Sequence, residues 1–151
     1  MRLRDADWRD LAAMAEIEAR SFPADAWGAA TFWAEQAARP RRSYVVAVDD
    51  DRVVGYAGLD LTGDVADVMT VTVDPDRRGT GLGGHLLEEL HTRGRAAGAA
   101  AVMLEVRADN TPARGLYGSR GYAVVHTRPG YYRSADGGPS VDALIMRKEL
   151  S

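Results

Sequence analysis

Between residues 43 and 84 the chain runs three β-branched stretches and then a glycine-rich turn into a helical pattern, and no other part of the sequence restricts the fold as strongly. SYVVAVD, RVVGYAGLDL and VADVMTVTV are parted by Asp49-Asp50-Asp51 and by Thr62-Gly63-Asp64, both good turn sequences. Such spacing predicts an antiparallel meander of three strands. Arg77 to Gly84 then leads into a helix marked by Leu82, Leu86, Leu87 and Leu90, expected to fray at Gly94 or Gly98. A mixed α/β fold follows, and 151 residues suffice for one domain, 1–151, with one core.

The flanking segments fit that class. From Asp7 to Arg20, Trp8, Leu11, Ala12 and Ala15 recur at helical spacing, Met14 and Ile17 widen the apolar face, and Asp7 is a candidate N-cap. A shorter helix over Ala29 to Ala38 carries Phe32 and Trp33, both expected in the core, and stops at Arg39-Pro40. Beyond the central helix come a strand, Ala101 to Val106, and a short helix with Thr111 as N-cap and Pro112 at its first position. Two last strands, Tyr122 to Thr127 and Val141 to Arg147, are expected to be joined by a loop holding Pro129, Tyr131 and Tyr132.

Several chemistries lack their parts. The net charge of −3, without a basic stripe, disfavours nucleic acid as a ligand. No cysteine is present, so thiol nucleophiles, disulfides and cysteine zinc sites are out, and a reducing cytosol fits. The only lysine, Lys148, stands beside the C-terminus, which removes a Walker-type lysine. His85, His91 and His126 form no HExxH, no serine sits in a GxSxG elbow, and no metal is expected. The opening MRLRDADWRDL turns polar too early for a signal peptide, and the longest mostly apolar run, Ala96 to Leu104, is nine residues against the ~20 that span a bilayer. A cytoplasmic protein without membrane partners is expected.

Arg78-Gly79-Thr80-Gly81-Leu82-Gly83-Gly84 follows a strand and opens a helix, so its backbone N–H groups gather at the positive end of a helix dipole. That is a place for phosphate; the alternative is a merely flexible connection. Gly79, Gly81 and Gly84 also spell GxGxxG, with Glu105 21 residues on, as a dinucleotide fingerprint would ask. Against a nicotinamide site, Asp74 to Arg78 separate the strand from the turn, and the preceding strands read as hairpins rather than a parallel unit.

Glu105 lies within an apolar strand, on the face shared by Met103 and Arg107 and opposite Val102, Leu104 and Val106. Unpaired burial would raise its pKa toward the range of a general base, while a salt bridge to Arg107 is the equal alternative. Tyr117 on the short helix reads as an ordinary half-buried tyrosine or as an acid, and Asn110 as a turn or cap residue or a ligand contact. Adjacent Tyr131 and Tyr132 point to substrate contact, because two neighbours cannot face one core; Trp27 stands between core and groove.

The strand VMTVTVDP, the R-x-x-G-x-G/A pattern of Arg78 to Gly83, and LEVRADN with Tyr117 and Gly121-Tyr122 together resemble the GCN5-related N-acetyltransferases (GNAT) over nearly the whole chain. Phe22-Pro23 with Trp27, the stretch Leu104 to Asn110, Tyr131-Tyr132, and Asp142-Ala143-Leu144-Ile145-Met146 are most similar to the ribosomal-protein alanine N-acetyltransferases of the RimI type.

The resemblance implies a mixed, mostly antiparallel sheet of about seven strands with about four helices packed on it. It further implies acetyl-CoA as cosubstrate, its pyrophosphate on the amides of Gly79, Thr80, Gly81, Leu82, Gly83 and Gly84 beside Arg78, and its pantetheine amides paired with Val71, Thr72 and Val73. By the same resemblance Glu105 is the base, Tyr117 the proton donor to the CoA thiolate, Asn110 a CoA contact, and Trp27, Tyr131 and Tyr132 bind the acceptor. Gly84 and His85 depart from the pattern, which often carries a basic residue there, and Arg77 and Arg78 are the cations at hand to compensate. The implied reaction is direct acetyl transfer to a protein N-terminal α-amine, with N-terminal alanine of a small-subunit ribosomal protein as the expected acceptor. Acetylation of a lysine or small amine, and a non-catalytic acetyl-CoA sensor, are the competing readings; retention of Glu105 and Tyr117 weighs against the sensor.

Overall fold

A computed structural model describes residues 1–23, 26–133 and 137–150. The expected loops between Phe22 and Trp27 and after Tyr132 therefore lie partly outside the described residues.

The elements follow one another as β1 (Arg2–Asp5), α1 (Leu11–Ser21), α2 (Ala29–Ala37), β2 (Arg42–Asp49), β3 (Arg52–Asp60), β4 (Val65–Val73), α3 (Leu82–Ala96), β5 (Ala101–Arg107), α4 (Thr111–Ser119), β6 (Ala123–Tyr132) and β7 (Val141–Glu149). One sheet holds all seven strands in the order β1-β2-β3-β4-β5-β7-β6. Every pairing is antiparallel except β4 with β5. The meander of β2, β3 and β4 is as the turns predict, and β3 crosses close to its neighbour because Gly58 has no Cβ: one would fall inside the Tyr44 ring.

Two cores lie on opposite faces. Leu82, Leu86, Leu87 and Leu90 of α3 pack on Val45, Ala57, Leu59, Val102 and Leu104, with Leu116 and Tyr117 of α4 at the margin. On the other face Leu11, Met14 and Ile17 of α1 and Phe32 of α2 cover Tyr44, Val46 and Tyr56. No buried residue of β5, β6 or β7 belongs to this second core, so among the described residues no helix covers that end of the sheet on this face.

Local chemistry corrects several expectations. Asp7 does cap, but it caps a 3-10 turn, Trp8–Asp10, in a reciprocal box with Asp10, and α1 proper starts at Leu11. Trp8 and Trp33 are exposed, 58% and 51%, rather than core. α4 is capped by Asn110, whose side chain accepts from Ala113 N at 3.3 Å, and Thr111 is its first helical residue. β6 continues through Pro129 and Gly130 to Tyr132, so the tyrosine pair ends an edge strand instead of lying in a loop. β1 was not legible, its four residues RLRD being mostly charged.

Candidate active site

β4 and β5 pair only at Val65↔Ala101, Ala66↔Val102 and Asp67↔Met103. Past Asp67 the strands part, while β4 keeps its other edge on β3 as far as Val73. The register shift opposite Gly58/Leu59 leaves Met69 without a partner residue, and such a bulge bends its strand. The far edge of Val71–Val73 is thus free of strand partners.

A cavity of about 610 Å³ opens at this split. Val71, Thr72, Val73, Arg78, Gly79, Gly81, Leu82, Gly83, Gly84, Asn110 and Tyr117 all border it, as the sequence anticipates. Gly79 (φ 77°) and Gly81 (φ 82°) are left-handed, and Gly81 caps α3, so the loop needs glycine for its shape and presents the first amides of the helix to the cavity. Thr80 is the exception in this set: its hydroxyl turns back to the Arg77 carbonyl at 2.6 Å. Arg77 also borders the cavity, with Nη1 2.5 Å from Asp49 Oδ2.

Residues not anticipated also line the cavity. Ser21 and Phe22 close one end from α1, and the Ser21 hydroxyl is buried with no hydrogen-bond partner among the described residues. Leu116 forms part of the α4 wall. A pocket-facing position on α1 leaves no mark in the periodicity, since Ser21 follows the last apolar turn.

Tyr117 is half-buried on that wall, and desolvation pushes its phenol above the ordinary tyrosine range. Its ring packs at 5.7 Å on Tyr122, whose hydroxyl is 2.7 Å from Nε2 of fully buried His91. The neutral phenol is the stable form here, as a proton donor requires.

Glu105 sits elsewhere than expected. It lies on the face of β5 that no helix covers, and 31% of its side chain is exposed, so the expectation of a buried, unpaired carboxylate fails. Its partner is not Arg107, which binds Asp109 at 3.0 Å. Instead Oε1 accepts from the Tyr132 hydroxyl at 2.9 Å, and Oε2 stands 3.8 Å from Arg128 Nη1. Tyr131 and Tyr132 meet edge to face at 5.3 Å, with Arg128 over the first ring at 5.3 Å and Arg107 over the second at 5.2 Å. Burial, then the Glu105 carboxylate, push the Tyr132 phenol up, which keeps it a donor. Trp27 is half-buried against Phe32, ring centroids 5.6 Å apart, and its backbone N donates at 3.1 Å to buried Glu18.

A strand edge open to an amide-bearing chain, next to a glycine loop made for phosphate, fits CoA. The model of the acetyltransferase (GNAT) family matches residues 11–122. The chain belongs to the GNAT family. Acetyl transfer from acetyl-CoA is the activity of the family and of this chain, and the GNAT fold accounts for the split sheet.

Among relatives, the [ribosomal protein bS18]-alanine N-acetyltransferase of Salmonella typhimurium is 37% identical over 148 residues, covering 94% of this GNAT chain and 93% of that protein. An uncharacterized protein of Mycobacterium leprae is 39% identical over 145 residues, 93% of this chain but 38% of its own length. The crystal structure of the ribosomal-protein-S18-alanine N-acetyltransferase from Escherichia coli superposes with a TM-score of 0.89 at 32% identity, covering 99% of this chain and 94% of that one. Among the described residues no cluster of His, Asp and Glu could hold a metal, and no helix is long and apolar enough to cross a membrane.

Proposed function

We propose that this acetyltransferase acts on the N-terminal α-amine of a protein, with the N-terminal alanine of a small-subunit ribosomal protein as its acceptor, in the cytoplasm where such proteins are made. The observation that carries the reading is the hydrogen bond between Glu105 of β5 and Tyr132 of β6, on the part of the sheet that diverges from β4, outside the cavity lining itself. Names borne by relatives of nearly the same length support the choice of acceptor.

Acetyl-CoA supplies a thioester carbonyl open to attack by a free amine. Backbone amides of Gly79–Gly84 hold its phosphates, the edge of Val71–Val73 pairs with its pantetheine amides and polarises the carbonyl, and Asn110 contacts the same chain. Glu105, directly or through a water, takes a proton from the incoming ammonium. An α-amine of pKa ~7.7–8 is mostly protonated at pH 7, so this step sets how much nucleophile is available. Tyr117 gives its proton to the departing thiolate. Tyr131 and Tyr132, with Trp27 across the strand ends, bind the peptide backbone.

Glu105 suits an α-amine better than a lysine. The free fraction at pH 7 is roughly 10% for the former and under ~0.1% for a lysine of pKa ~10.4, which asks for a stronger base. The test is mass spectrometry of a peptide beginning at such an alanine against its N-blocked, lysine-bearing twin, each with acetyl-CoA. Labelling of the free N-terminus is expected; preferential labelling of the lysine overturns the acceptor assignment.

A further inference from the structure

CoA brings a pyrophosphate and a 3′-phosphate, and a helix dipole answers them with only about half a charge. Arg77 borders the cavity but pairs with Asp49, and position 84 carries glycine. The space that a side chain at Gly84 would fill is occupied. A Cβ there would stand 2.9 Å from Cζ of Arg120 and nearer still to its Nη2, so the guanidinium lies against the Gly84 backbone in the first turn of α3.

Arg120 caps the C-terminal end of α4, whose Ala113, Leu116 and Tyr117 border the cleft; Arg120 itself lines a second depression with His85 and Glu88, on the side of Gly84 away from the cleft wall formed by α4. Among the described residues its one tether is long: Nη1 donates to Glu88 Oε1, one turn further along α3, at 3.3 Å. About a third of the side chain, 34%, is open to solvent, so most of its five donors remain to meet a ligand.

From this geometry we infer that Arg120 is a binding residue for the phosphates of CoA, admitted to the loop by the missing side chain of Gly84, and that Glu88 competes with those phosphates for its guanidinium. The inference rests on the reading that those phosphates lie on the glycine loop. An arginine supplied by a second helix, in place of a basic residue within the loop, gives this chain a planar fork in register with phosphate oxygens. It also ties cosubstrate binding to the helix that carries Tyr117.

The test is calorimetric titration of CoA and of 3′-dephospho-CoA into the intact protein and its variants at two salt concentrations. Arg120→Gln should weaken CoA about tenfold, the size of one charge-assisted hydrogen bond, and flatten the salt dependence. Gly84→Ala should weaken it in the same direction, because the new Cβ displaces the guanidinium while favouring the helix. Glu88→Gln should leave binding intact or tighter. Equal loss with both ligands assigns the pyrophosphate, and loss with CoA alone assigns the 3′-phosphate; either supports the inference. Unchanged CoA affinity in Arg120→Gln, or equal weakening in Glu88→Gln, overturns it. Gly81→Asp serves as the control: if it leaves CoA binding intact, the placement of the phosphates on the glycine loop fails instead.

Discussion

The hydroxyl of Tyr132, at the end of the edge strand β6, donates a 2.9 Å hydrogen bond to Oε1 of Glu105 two strands away. The bond spans β7, so the candidate base is fixed by a residue from the part of the chain proposed to hold the acceptor. In the proposed mechanism this one contact would couple acceptor binding to proton transfer.

Glu105→Gln should lower kcat by roughly 10²–10⁴ while leaving acetyl-CoA affinity nearly unchanged. Tyr132→Phe keeps the ring and loses the bond, so a smaller fall in kcat with a raised KM for the peptide is expected. Steady-state kinetics with a fixed N-terminal peptide separate the two. Wild-type turnover in Glu105→Gln at pH 7 would remove this carboxylate from the mechanism.

For Tyr117, the proposed donor, burial shifts the phenol upward and so keeps it protonated at neutral pH. The basic limb of the kcat profile should therefore show no loss from this group below about pH 10, the ordinary tyrosine value. Tyr117→Phe should slow turnover at every pH tested. A variant as fast as the parent would exclude the phenol as acid.

Cosubstrate binding can be read without turnover. Acetyl-CoA at 100 times its Kd should stabilise the fold by about 2.7 kcal/mol, whereas NAD should not move the melting temperature. Gly81→Asp places bulk and negative charge at a left-handed helix cap and should abolish the shift. Stabilisation by NAD but not by acetyl-CoA would sink the assignment of the loop.

His91 offers a pH test of stability. Burial holds its imidazole below the usual 6.5, so the unfolded chain binds a proton that the folded one resists. Its contribution is present above pH 6.5 and is lost as pH falls through the lower folded value. Urea titrations from pH 7.5 to 5 should show stability declining on the acid side, and His91→Leu should flatten that decline. An unchanged slope in the variant would place the titrating group elsewhere.

Sequence pattern revealed what alternates strongly and missed what depends on which faces get covered. The runs ending at Asp49, Asp60 and Val73 show as strands because β-branched residues repeat between turn signals. The glycine loop from Gly79 to Gly84 is equally visible, since glycines opening a helix in fixed order mark a candidate phosphate loop, whereas the place of Val71 to Val73 at the cleft comes only from the family resemblance. Burial of Glu105 was misjudged because strand alternation tells which residues share a face and not whether a helix lies over it. Trp8 and Trp33 failed for the converse reason: apolar character alone does not bring a side chain under cover. Gly130, at φ 60°, and Pro129 look like loop residues, yet on an edge strand neither disturbs a second neighbour. The guanidinium of Arg120 over Gly84 joins positions 36 apart, and no local pattern encodes it.

Because β4 and β5 part after three residue pairs, the sheet is two panels, β1 to β4 and β5 with β7 and β6, hinged on a short parallel seam under α3. Hydrogen bonding within each panel is extensive and across the seam is slight, so the panels are held together chiefly by the one apolar core that α3 shares between them. A thioester cosubstrate lying along the seam would stitch the panels together. The cohesion of the whole protein would then track the supply of acetyl donor, and a cell short of that donor would hold this enzyme in its most fragile form.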